Sequence, residues 1–141
     1  YMKTLFLDSN IWIYAHLQSD DGKKHKKILE FLSDIIISSK LISSVQVINE
    51  FHWILFKKYR ISENVISKKI KSIIKVTEIV PVDFNTYILA SKVRKTNSIS
   101  FWDSLIVASA LENGAKKLYS EDMQNGIKIN KKLEIINPFV M

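Results

Sequence analysis

Short apolar runs alternate with longer amphipathic stretches along this chain, and that alternation leaves few folds open. The runs read as strands at residues 3–8, 41–43, 78–82, 117–120 and 133–136. Between them, apolar residues recur at helical spacing. Ile11, Ile13, Tyr14 and Leu17 make a short stripe that Ser9 or Asn10 is placed to cap. After a turn at residues 19–22, Ile28, Leu29 and Leu32 mark a helix over 23–33 with lysines on its other face. Ile35-Ile36-Ile37 stands as a separate apolar piece. Val47, Ile48, Phe51, Ile54 and Leu55 stripe a long helix that Ser43 or Ser44 caps and that runs to about Tyr59. A helix over 62–75 turns Val65, Ile66, Ile70, Ile73 and Ile74 one way and lysines the other. Asp83 caps another to about Lys95, and a last one opens at Ser100 and stops at Asn113-Gly114. Strands separated by helices connect by crossovers rather than hairpins. The pattern therefore predicts an α/β fold with a central, mainly parallel five-stranded sheet flanked by helices on both faces. Pro81 ends the third strand or puts it at a sheet edge.

With 141 residues, 47% of them apolar, and only 3 Gly and 2 Pro, the chain can bury a core as one domain over 1–141. It has no Cys, which excludes disulfides and thiolate metal sites. No apolar run approaches the roughly 20 residues that span a bilayer, and the start lacks the zones of a signal peptide. A cytoplasmic protein without membrane contact is the expectation, and Tyr1 ahead of Met2 reads as foreign to the natural start. The formal charge is +7. Its bases cluster at Lys23–Lys27, Lys57–Arg60, Lys68–Lys75 and Lys92–Lys95. Such faces suit a polyanion that sheds counterions on binding, and they also serve plain solubility.

The acids carry the sharper signal. In open α/β sheets ligands bind beyond the carboxyl ends of the strands. Asp8 ends the first strand, and Asp122 follows the fourth. Asp103 lies in the first turn of the last helix, in line with Ile106, Val107 and Ala110. Glu50 lies beside the inward stripe of the long helix, three after Val47 and four before Ile54. Like charges gathered in a crevice are costly unless a cation neutralises them. Oxygen donors of this kind suit Mg²⁺ or Mn²⁺, ions that activate water and stabilise charge in phosphodiester hydrolysis. Each acid also has an ordinary explanation. Asp8 could cap a helix, Asp103 could form a capping box with Ser100, Glu50 could reach water, and Asp122 could serve a turn. Glu121 beside it reads as a turn residue.

These residues bring a family into view. Leu7-Asp8-Ser9-Asn10, Asn49-Glu50, the run from Phe101-Trp102-Asp103 to Ala110, and the run from Leu118 to Gly126 resemble PIN domains. The likeness is to the small VapC-type toxins of toxin–antitoxin pairs in particular. Each motif is short, but their order and separations run the length of the chain. The resemblance implies a metal-dependent ribonuclease that cuts single-stranded regions of RNA. It implies Asp8, Glu50, Asp103 and Asp122 as the acidic site, with Asp8 and Asp103 the most consistent metal ligands. It implies Asn10 and Ser120 as support that orients a carboxylate or a coordinated water. All four acids are present, which implies an active copy. It also implies a homodimer and a partner antitoxin. The apolar residues around Phe51, Trp53, Ile54 and Phe56 are candidate surface for them, and core packing explains much of the same content.

Other classes fit less well. A non-catalytic RNA- or protein-binding α/β module would keep its binding after loss of all four acids. A phosphotransfer receiver needs an acid pair after the first strand and an acceptor Asp after the third, where Pro81-Val82-Asp83 matches poorly. A phosphatase with Asp-x-Asp meets Asn10 at its second acid. His16, His25 and His52 lack metal-ligand spacing. His25 sits in a lysine run and reads as solvated, and His52 points to a different side of its helix from Glu50. No glycine-rich phosphate loop is present.

Overall fold

The computed structural model describes residues 2–18 and 22–141. Apart from Gly22, the turn expected at 19–22 lies outside the described residues. The strands are β1 Lys3–Leu7, β2 Ser39–Ser44, β3 Glu78–Val80, β4 Lys117–Tyr119, β5 Lys128–Ile129 and β6 Leu133–Ile136. The helices are α1 Ser9–His16, α2 Gly22–Ser38, α3 Val45–Lys57, α4 Glu63–Val76, α5 Phe84–Thr96 and α6 Phe101–Glu112, with a 3₁₀ turn at Pro138–Val140.

Among the described residues the sheet has six strands rather than the expected five, in the order β3-β2-β1-β4-β6-β5. The extra strand is β5, antiparallel to β6; the other pairings are parallel. The turn between β5 and β6 places Asn130 and Lys131 at φ 53° and 58°, the left-handed region, so two strands pair without a glycine between them. Two boundaries also differ. The Ile35–Ile37 piece is the last turns of α2, which continues to Ser38 with Ile37 84% exposed. The cap of α1 is Asp8, not Ser9 or Asn10. Ser44, Ser62, Asp83 and Ser100 cap α3, α4, α5 and α6. β3 stops before Pro81 and is also an edge strand, where the missing N–H costs no ladder bond.

Leu5, Phe6 and Leu7 are all buried, as expected of a parallel strand covered on both faces. Phe6 joins Phe51, Ile42 and Leu118 in the main core. Each such side chain stabilises the fold by about 2–3 kcal/mol. Residues Ser104–Ala110 of α6 are buried all round, and Leu105 and Ala108 form a second cluster with Ala90 of α5. Among the described residues no helix is long and apolar enough to cross a membrane.

The strand order fixes where a site can form. The chain steps outward from β1 to β2 to β3, then returns to β4 on the other side of β1. That reversal opens a crevice at the carboxyl ends of β1 and β4.

Candidate active site

Asp8 emerges from β1 directly into this crevice and is only 5% exposed. Its backbone N–H still donates to the Tyr119 carbonyl (3.1 Å), which ties the end of β1 to the end of β4. One carboxylate oxygen accepts from the Ser9 amide at 2.7 Å, the other from the Ser120 hydroxyl at 2.8 Å. Burial raises its pKa from 3.8 to about 7. The Ser120 and Ser9 hydrogen bonds oppose the rise, and the charges of Glu50 and Asp122 add to it. Asp8 therefore caps α1 and faces other acids at once; the two explanations do not exclude each other.

The remaining acids come from three elements. Glu50, half-buried on α3, accepts from the Ser9 hydroxyl at 2.9 Å and from Gln46 Nε2 at 3.3 Å. Asp122 is exposed beyond β4 and accepts from Asn10 Nδ2 at 3.2 Å. Asp103, half-buried in the first turn of α6, donates its backbone N–H to Ser100 Oγ at 3.1 Å. Burial raises the Asp103 pKa, the Ser100 hydroxyl opposes this, and the Asp122 charge adds to it. Asp8 thus feels Glu50 and Asp122, and Asp103 feels Asp122. Asp103 and Asp122 also line a cavity of about 140 Å³ with Asn97, Ser98, Ser100 and Gln124. Among the described residues, no three His, Asp or Glu side chains converge tightly enough to ligate one ion as they stand.

Asn10 and Ser120 hold this arrangement together. Ser120 Oγ donates to Asp8 and accepts from Asn10 Nδ2 (3.3 Å) and from the Asp122 amide (3.2 Å). Asn10 Oδ1 accepts from the Glu121 amide at 3.0 Å. Both side chains are buried, and every hydrogen-bonding atom named is used. Ser9 was missed as a site residue. Its hydroxyl links the start of α1 to Glu50, and the one signal for it was its place between Asp8 and Asn10.

Glu121 faces away from the site, ion-paired to Lys24 and accepting from the Tyr14 hydroxyl at 2.7 Å. His52 pairs with Glu63 at 2.7 Å on the exposed outer side of α3. His25 is half-buried rather than solvated, its Nδ1 2.7 Å from the Tyr14 carbonyl oxygen. Burial lowers the His16 pKa to about 4, and its ring lies edge-on to Phe51. Phe51 is core and offers no surface. Trp53 (60% exposed) and Phe56 stand outward with ring centroids 6.3 Å apart.

A parallel sheet with acids around its switch point defines a class of α/β protein whose chemistry sits at that crevice. The chain belongs to the PIN domain family, whose model matches residues 5–126. Solved structures share the fold. A VapC toxin of Mycobacterium tuberculosis, described as cleaving the sarcin–ricin loop, is 16% identical with a TM-score of 0.67, over 84% of this chain and 89% of that one. A toxin–antitoxin complex from Klebsiella pneumoniae is 15% identical with a TM-score of 0.68, over 95% and 97%. VapBC2 from Rickettsia felis, bound to a promoter DNA fragment, is 19% identical with a TM-score of 0.64, over 95% and 99%. No curated protein sequence matches the chain.

Proposed function

We propose that the chain is a single-domain, Mg²⁺- or Mn²⁺-dependent endoribonuclease, the cytoplasmic toxin of a toxin–antitoxin pair. One observation carries the reading. A buried carboxylate at the switch point, Asp8, has its pKa raised to about 7 and feels the charges of Glu50 and Asp122. Carboxylates perturbed by burial and by like charges cluster at functional sites.

The donor set fits a hard divalent cation. It is all oxygen, and it carries negative charge that burial and mutual repulsion disfavour. Asp8 and Asp103 would hold the ion, with Asp122 and Glu50 completing the site directly or through water. When bound, the ion supplies an activated water and stabilises charge on the attacking and leaving oxygens. The chain's own residues do the rest. Ser120 and the Ser9 amide hold the Asp8 carboxylate, Asn10 holds Asp122, and the Ser9 hydroxyl holds Glu50. The cavity beside Asp103 and Asp122 offers amide and hydroxyl groups to an RNA backbone or base. The basic surface draws the polyanion toward an acidic centre.

Partners follow from the relatives, several of which are toxin–antitoxin complexes. An antitoxin and a second copy of this chain are the proposed partners, and the exposed Trp53 and Phe56 are surface for one of them.

The test is cleavage of labelled RNA by the purified protein. Cutting that needs Mg²⁺ or Mn²⁺, stops with EDTA, and is lost in folded Asp8→Asn and Asp103→Asn variants supports the reading. Metal-loaded protein that cuts no RNA, or cutting that survives both substitutions, overturns it.

A further inference from the structure

A second charged feature lies at the opposite end of the sheet from Asp8. A concavity of about 280 Å³ is lined by Lys3, Lys116, Lys117, Lys128, Lys131 and Lys132, with Glu134 the one acid among the described residues that line it. The sequence hides this cluster, because its members come from three separate stretches of the chain. The topology assembles it. Lys3 opens β1, Lys117 opens β4 and Lys128 opens β5, while Lys131 and Lys132 come from the β5–β6 turn. In register, Leu5 of β1 faces Lys117, Lys117 faces Glu134 of β6, and Lys128 faces Glu134.

Six lysines against one glutamate give the concavity a formal +5. Among the described residues none of the six makes an ion pair, whereas Lys24 and Lys40 elsewhere each have an acid partner. Apart from the half-buried Lys117 they are exposed, so core packing does not account for them. Ammonium groups gathered this way repel one another unless an anion joins them.

We propose that this concavity is a second RNA-binding site, which holds phosphodiester backbone of the substrate away from the scissile bond. The proposal rests on the ribonuclease reading above. The lysines lie across the width of four adjacent strands, β1, β4, β6 and β5, which is three spacings of about 4.8 Å, roughly 14 Å in all. That width takes several backbone phosphates, more than one inorganic phosphate would fill. Lysine suits the role as a point charge that binds phosphate without reading sequence. Five residues of rise at about 3.3 Å put Asp8 roughly 16 Å away through the sheet, and further around the surface. A short oligonucleotide therefore reaches one site only. An RNA long or folded enough to wrap the edge of the sheet reaches both, and this device selects for such substrates.

Binding in EDTA tests the idea without requiring catalysis. A labelled RNA hairpin, a hexanucleotide and polyglutamate are titrated against wild type, a Lys116→Glu/Lys128→Glu/Lys132→Glu variant, and a control Lys68→Glu/Lys71→Glu/Lys75→Glu variant. The two variants change net charge equally at exposed positions, and matching melting curves establish that both are folded. The expected result is a loss of about tenfold or more in hairpin affinity for the first variant. Its log–log salt slope falls by about 2–3, and the control keeps most of its affinity. Wild type binds the hairpin more tightly than the hexanucleotide, which reaches only one site. Unchanged hairpin binding, or equal loss in both variants, overturns the proposal. So does a first variant that loses polyglutamate but keeps the hairpin, which would make the concavity a protein-docking site. A protein that cuts no RNA with metal present would sink the ribonuclease reading, while the binding result stands or falls separately.

Discussion

Asp8→Asn should make the metal-free protein more stable at alkaline pH and no more stable in acid. The folded pKa of Asp8 is about 7 against 3.8 for an unperturbed carboxyl. Between those values the folded state holds a proton that the unfolded chain has lost. Stability from this group is therefore fully present below 3.8 and is lost as pH rises through about 7. At about 1.4 kcal/mol for each tenfold, the ionised carboxylate costs the fold on the order of 4 kcal/mol. Asparagine removes that charge and keeps one acceptor for Ser9 or Ser120. It forfeits one hydrogen bond to a charged group, worth about 1.5–3 kcal/mol. The net expectation is a gain of about 1–3 kcal/mol at about pH 8 in EDTA, and none at about pH 4. Urea denaturation followed by tryptophan fluorescence reads this, because Trp12 is buried in the core. Saturating Mn²⁺ should reverse the order at alkaline pH, since ligand at a thousandfold excess over Kd adds about 4.1 kcal/mol to wild type alone. An Asp8→Asn protein less stable than wild type at alkaline pH in EDTA would refute the reasoning. An equal gain at both pH values would also do so.

Other expectations follow from the same geometry. Wild-type Mn²⁺ affinity should climb with pH and level off above about 7, as the metal competes with the Asp8 proton; calorimetric titrations across pH would show it. Ser120→Ala removes the hydroxyl that lowers the Asp8 pKa, so that affinity midpoint should move upward, with a stability loss of about 1–3 kcal/mol. An unmoved midpoint would deny Ser120 its role. Asn10→Ala should cut RNA cleavage about 10–100-fold in a protein that still folds, because Asp122 and the Glu121 amide lose their partner. Phe51→Ala should cost about 3–5 kcal/mol in urea denaturation, whereas Trp53→Ala should cost under about 1 kcal/mol, since only Phe51 is core.

The parts of the fold legible in the sequence were those whose periodicity is long or whose caps are distinctive. α3 through α6 open at Ser44, Ser62, Asp83 and Ser100, residues whose side-chain oxygens mark helix starts locally. β5 escaped because two residues carry no alternation, and because Asn130-Lys131 turns the chain without glycine. The end of α2 escaped because Ile35-Ile36-Ile37 imitates a buried strand while pointing partly into solvent. At the site, the four acids could be named from position along strands and stripes. Their coupling could not, since it depends on the order of strands, which only the assembled sheet reveals. Ser9 and the lysine concavity were hidden for the same reason: their partners lie far away in sequence.

The central claim is that Asp8, Glu50, Asp103 and Asp122 form one metal-binding centre at the switch point. Crystals of the protein grown with Mn²⁺ and measured at the manganese absorption edge test it most directly. An anomalous peak within bonding distance of Asp8 and Asp103, bordered by Asp122 and Glu50, and lost in Asp8→Asn, is the predicted result. No peak at that crevice under saturating Mn²⁺, or a peak that Asp8→Asn leaves in place, would contradict the account.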